Sequence, residues 1–99
     1  GDPEFQPRHS LENVQLIDLF QWDEQTFLFH TEGSPIRRAG YIKFLENLAI
    51  GLGNGRPHEE VVSALSARLG KYGNTLDTHI QWALKHLSLK AKENESGNA

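Results

Sequence analysis

The stretch from Ser34 to Gly55 constrains the fold more than any other part of the chain. It opens with Ser34, whose hydroxyl can accept from an unpaired helix N–H, and Pro35, whose fixed φ suits the first helical position. It closes on Gly53-Asn54-Gly55, a stop signal. In between, Ile36, Tyr41, Ile42, Phe44, Leu45, Leu48, Ile50 and Leu52 point in nearly every direction around a helical axis. The pattern predicts one helix from Pro35 to Leu52 that is the most buried element and touches the helices before and after it. A chain built around such an element is all-α.

The flanking segments supply its neighbours. Leu11 to Phe20 reads as a short helix with Ser10 as N-cap and Leu16, Ile17 and Phe20 as its apolar stripe. Asp23 to Thr31 reads as a second, with Phe27 and Leu28 inward and Gly33 as its stop. After the central helix, a fourth opens at Pro57, with Glu59 and Glu60 in its first turn and Val61, Val62, Leu65 and Leu69 following. Gly70 and Gly73 punctuate the chain before a fifth helix, Leu76 to Leu89, capped by Asn74 or Thr75, with a stripe of Ile80, Ala83, Leu84 and Leu87. Short connections favour antiparallel neighbours, so the expected architecture is about five helices in an antiparallel HEAT-like array, without a clean internal sequence repeat. Residues 1–10 hold two prolines and read as a linker or expression remnant, residues 11–92 as the helical domain, and residues 93–99 as a disordered polar tail.

Size and composition narrow the chemistry. Ninety-nine residues leave room for one small core. No apolar run approaches the roughly 18 residues of a membrane span, and no signal-peptide pattern opens the chain, so a soluble cytoplasmic protein is expected. Cysteine is absent, which removes disulfides, thiol nucleophiles and cysteine-held zinc or iron–sulfur sites. The net charge of −3 is unevenly distributed. Residues 1–34 carry seven acids and one base, whereas residues 35–92 carry nine bases and four acids. That polarity permits a local basic face.

Arg37 and Arg38 follow directly on Ser34-Pro35, at the start of the expected central helix. Acids belong at a helix start, because the dipole there is positive. Two arginines in that place call for an anion between them, and a phosphate would take backbone N–H groups and a bidentate guanidinium together. The alternative is that Glu32, Asp18 or Asp23 neutralises them in structural ion pairs. Gly51-Leu52-Gly53-Asn54-Gly55-Arg56 imitates part of a nucleotide-binding glycine loop, but it follows a helix and lacks the Gly-Lys-Ser/Thr ending. It reads as a C-cap and turn, with Asn54 in or supporting a left-handed conformation and Arg56 free to reach solvent or a ligand. His79 and His86 share a helix seven residues apart, about 10 Å of rise, too far to chelate one ion. All five histidines therefore read as surface or half-buried, and Trp22 and Trp82 as core. No metal site and no catalytic grouping is expected.

The chain resembles the C-terminal region of epoxyqueuosine reductases. The resemblance is carried by Leu19-Phe20-Gln21-Trp22-Asp23-Glu24, by Thr31-Glu32-Gly33-Ser34-Pro35-Ile36-Arg37-Arg38-Ala39-Gly40, and by Leu45 with Asn47-Leu48-Ala49-Ile50-Gly51-Leu52-Gly53-Asn54. Leu76-Asp77, His79-Ile80 and Trp82-Ala83 extend it, so that it covers about residues 6–87. It implies a parent oxidoreductase that reduces epoxyqueuosine to queuosine in tRNA with cobalamin and two [4Fe–4S] clusters, held upstream of this segment. For this piece it implies a non-catalytic helical module that helps to hold tRNA, with no cofactor of its own. The implied partners are tRNA and the upstream catalytic domain, and no membrane. The candidate tRNA-binding residues are Arg37, Arg38, Lys43, Asn47, Asn54 and Arg56. Glu46 departs from a position that is commonly basic in the family. A structural or protein-interaction module that docks on the parent's core is the alternative reading.

Overall fold

The computed structural model of the chain describes residues 10–97, with side chains described between residues 14 and 93. The expected linker, apart from Ser10, lies outside the described residues. The described residues form six helices: α1 (Ser10–Phe20), α2 (Glu24–His30), α3 (Pro35–Ala39), α4 (Tyr41–Asn54), α5 (Glu59–Ala67) and α6 (Asn74–Gly97). No strand occurs among them. The all-α expectation is met, with one helix more than the five anticipated.

The extra helix comes from a break in the element that was expected to be continuous. Gly40 has φ 99° and ψ 163° and serves both as C-cap of α3 and as N-cap of α4. That conformation is open to glycine and strained for other residues, so the axis turns there. Of the eight apolar residues only Ile36 falls on α3, and on α4 the spread remains, with Ile42 and Phe44 half-buried and Ile50 exposed beside the buried stripe. α3 buries nothing, and Ile36 is 53% exposed. α4 buries Tyr41, Leu45, Leu48, Ala49 and Leu52, which form one stripe at helical spacing.

α4 is nevertheless the centre of the fold, packed chiefly on α6 and also on α1, α2 and α3. Tyr41 at its start meets Tyr72, just ahead of α6, with ring centroids 5.7 Å apart, while Gly53 near its end lies against Ala83. The two helices therefore run in the same direction. α1 runs opposite to α4, because Leu16 reaches Gly51 and the Trp22 carbonyl beyond α1 accepts from the Tyr41 hydroxyl. α5 lies between α4 and α6 in sequence and packs on α1 and α6.

Two boundaries differ from expectation at the last helix. Gly73, at φ 101°, precedes α6 and its carbonyl accepts from the Asp77 N–H at 3.1 Å, so neither Asn74 nor Thr75 is the cap. The Asp77 carboxylate instead accepts from the Gly70 N–H at 3.0 Å and closes the turn. At its other end α6 continues to Gly97, past the expected end at Leu89 and the domain boundary at residue 92. Lys90, Ala91, Lys92 and Glu93 are good helix formers that need no burial to continue a helix already nucleated by Ile80, Ala83 and Leu87.

Candidate functional site

The segment that leads into α3 is tied down by its own side chains. Thr31 donates its hydroxyl to the Phe27 carbonyl at 2.6 Å, the Ser34 N–H donates to Thr31 at 2.8 Å, and Ser34 Oγ accepts from the Ile36 N–H at 3.2 Å. Ser34 is thus the N-cap, as the sequence indicates. Gly33, Ser34 and Pro35 line a shallow concavity together with Arg37 and Arg38. Both arginines are exposed, and neither forms an ion pair with a described residue. Of the acids expected to neutralise them, Asp18 and Glu32 are exposed and unpaired, and Asp23 caps α2 by accepting from the Thr26 N–H at 2.8 Å. The hydrogen bonds from Thr26 hold the Asp23 carboxyl below its usual range.

The helix dipole does not set the arginines against the end of α3. α3 has only five residues, and Arg37 and Arg38 fall in its last turn, where cations are favourable. The arginines therefore suffer no conflict that a bound anion would have to relieve. Their availability rests on exposure and lack of partners alone.

The other candidates do not join them. Lys43 Nζ lies 3.8 Å from Glu46 Oε1, and Glu46 is 6% exposed, so this lysine offsets a nearly buried carboxylate. Asn47 is exposed on α4. Asn54 and Arg56 line a separate concavity with Gly55, Pro57, Lys90 and Glu93. Asn54 is the last residue of α4, and Gly55 is extended at φ −87° and ψ −164°, so the left-handed turn expected there is absent.

The glycine run has a different purpose. A Cβ on Gly53 would sit 2.7 Å from the Trp82 ring and 2.8 Å from Ala83 Cα, so glycine here sets the approach of α4 to α6. Lys90 then closes the end of α4, donating to the carbonyls of Gly53 at 2.8 Å and Gly55 at 2.7 Å. A cation at a helix C-terminus satisfies orphan carbonyls and complements the dipole.

Arg68 is a second cation that the sequence did not single out. Its Nε donates to the Phe20 carbonyl at 2.8 Å, Nη2 to the Trp22 carbonyl at 2.9 Å and Nη1 to the Tyr72 hydroxyl at 3.2 Å. Its guanidinium also lies 5.5 Å from the Phe20 ring centroid. Burial pushes the Tyr41 phenol up to about 12, and the nearby Arg68 charge opposes that rise. No signal in linear spacing reveals the contact, because the two carbonyls are 48 and 46 residues away.

The aromatic and imidazole rings mostly serve the core. Trp22 and Trp82 are half-buried against it, as expected. Trp22 stacks on Phe44 at 5.8 Å and on His30 at 4.6 Å, and Trp82 lies against His86 at 4.3 Å. His58 is the N-cap of α5, accepting through Nδ1 from the Glu60 N–H at 3.2 Å. His9 lies outside the described residues. Iron–sulfur clusters take thiolate ligands, and this chain has no cysteine, so its own residues do not fit such a group. No set of three His, Asp or Glu side chains stands together as metal ligands among the described residues. No described helix is long and apolar enough to cross a membrane.

The described residues thus define an all-helical module that exposes an unpaired arginine pair. Comparison with known proteins adds its relationship. The chain is 52% identical over 85 residues to the epoxyqueuosine reductase of Pseudomonas aeruginosa, covering 86% of this chain and 24% of that protein. It is 53% identical over 91 residues to the epoxyqueuosine reductase of Aliivibrio fischeri, covering 92% of this chain and 24% of that protein. With the Escherichia coli enzyme the identity is 45% over 83 residues, 84% of this chain and 22% of the enzyme. No family model matches the chain, and no solved structure matches it significantly. The chain is therefore related to a segment of epoxyqueuosine reductase, and it spans about a quarter of the length of the relatives cited.

Proposed function

We propose that this chain is a tRNA-holding helical module of an enzyme that reduces epoxyqueuosine in tRNA, and that the module itself is non-catalytic. Cobalamin and the two [4Fe–4S] clusters belong, in this reading, to other parts of the parent enzyme. The helices form a HEAT-like stack of two hairpins, α1 with α4 and α5 with α6. The shared direction of α4 and α6 supports that arrangement. One observation carries the functional reading: Arg37 and Arg38 are exposed, lack ion-pair partners among the described residues, and line one concavity. Paired guanidinium groups in that state suit a phosphate.

The test is a tRNA titration at two salt concentrations with the chain and with its Arg37→Ala/Arg38→Ala variant. Each phosphate contact contributes about 0.9 to the log–log salt slope on duplex DNA, so the variant should lose roughly one to two units. An unchanged slope would remove the arginines from the interface.

A second reading, docking on the parent's core, has its own observation. A groove between α5 and α6 is floored by Val62, Leu84, Leu87 and Ala91, and Val62 is 40% exposed. Tight binding of the chain to a separately expressed catalytic domain, lost on Val62→Asp, would support it.

A further inference from the structure

The rings around α2 form a series that leads from the core to the surface. Phe44 packs on buried Phe27 at 4.8 Å, Trp22 lies 5.8 Å from Phe44 at 22° between planes, and His30 lies 4.6 Å from Trp22 at 20°. Three rings are therefore nearly parallel, and the outermost, His30, is exposed. Phe29 stands beside it at 5.1 Å and 83°, so the two rings form an aromatic corner. Phe29 is 74% exposed, the highest value among the large apolar side chains of the described residues. Packing on Trp22 fixes the His30 ring in advance, which removes part of the ordering cost of a stacked ligand.

We infer that His30 and Phe29 form a stacking platform for an unpaired nucleobase. The inference rests on the proposed tRNA-holding role and assigns it a second point of contact. Stacking tolerates any base, because every base has a π-face. The platform lies seven residues before Arg37, so the chain between them spans at most about 25 Å. One single-stranded segment can thus place a base on the rings and a phosphate on the arginine pair. Glu24 and Glu32 are also exposed on this segment, which leaves base contact to the ring faces.

The test uses the whole chain and a five-residue oligouridylate, followed by ring-proton NMR. Upfield shifts of the His30 and Phe29 rings are expected on titration. His30→Ala and Phe29→Ala should each weaken binding by about fivefold or more, while His30→Trp should retain it. Both side chains are exposed, so these variants keep the fold. Equal binding by wild type and both alanine variants would overturn the inference. So would ring shifts produced by an aromatic peptide but not by the oligonucleotide, which would assign the corner to a protein partner. A normal tRNA salt slope with no ring shifts would overturn the platform alone. Ring shifts that persist when tRNA binding ignores Arg37 and Arg38 would support the platform and refute the arginine contact.

Discussion

Replacing Gly53 with alanine should weaken the fold, whereas the same change at Gly51 should strengthen it. Both glycines lie within α4, where exchange for alanine ordinarily gains about 1 kcal/mol of helix stability. At Gly51 the new methyl would meet only Leu16 Cδ1 at 3.4 Å, an ordinary contact with the end of a movable side chain. At Gly53 it would lie 2.7 Å from the Trp82 ring, 2.8 Å from Ala83 Cα and 2.9 Å from Ala83 Cβ. The Ala83 atoms cannot rotate aside, so α4 and α6 must separate at the main interface of the fold. Overpacking of this kind costs about 1–3 kcal/mol, and the Lys90 bonds to the same helix end add to the loss when they stretch. Against the helix gain, overpacking leaves a net loss of up to about 2 kcal/mol, to which the strained Lys90 bonds add. For a domain of this size each 1 kcal/mol moves Tm by about 4–8 °C. Thermal and urea unfolding of the two variants should therefore shift in opposite directions. Stabilisation by both would refute the close-approach argument.

Three other outcomes follow from the same contacts. Arg68→Ala should cost about 2–3 kcal/mol in urea unfolding, because two part-buried carbonyls lose a charged donor, and Arg68→Lys should not restore it. Arg37→Ala/Arg38→Ala should leave stability within about 0.5 kcal/mol of wild type, since both side chains are exposed; a larger loss would mean that they are structural. One tyrosine should titrate near pH 12, because burial favours the neutral Tyr41 phenol. The folded group keeps its proton where the unfolded chain has lost it, so stability should hold below about pH 10 and fall between about pH 10 and 12. Absorbance titration of Tyr41→Phe, which should remove the late step, checks the assignment.

How much of this was readable beforehand depended on whether the signal was local. The Ser34 cap and the punctuation at Gly70 and Gly73 are short-range chemistry and stand where the sequence places them, and Asp23, read as the first residue of its helix, is its N-cap. The break at Gly40 was missed because apolar residues continue on both sides of it, and a single glycine inside a helical pattern is commonly tolerated. Gly53 was read as part of a turn, since its actual constraint is a helix far along the chain. Lys90 and Arg68 were passed over for the same reason: their carbonyl partners are 35 to 48 residues distant. The arginine pair was read as the first turn of a long helix, for an electrostatic reason that a five-residue helix cannot supply.

The convergence on Arg68 also bears on where this chain can be divided. Its guanidinium gathers the end of α1, the start of α4 and the α5–α6 connection at one point. A shortened chain that starts at α3 would retain the α4–α6 pair and most of the candidate surface. It would also expose the faces that Phe20 and Phe27 now cover, and strand a cation whose acceptors had been cut away. The smallest autonomous unit therefore includes α1, and a binding surface that begins at residue 29 depends on a helix that ends nine residues before it.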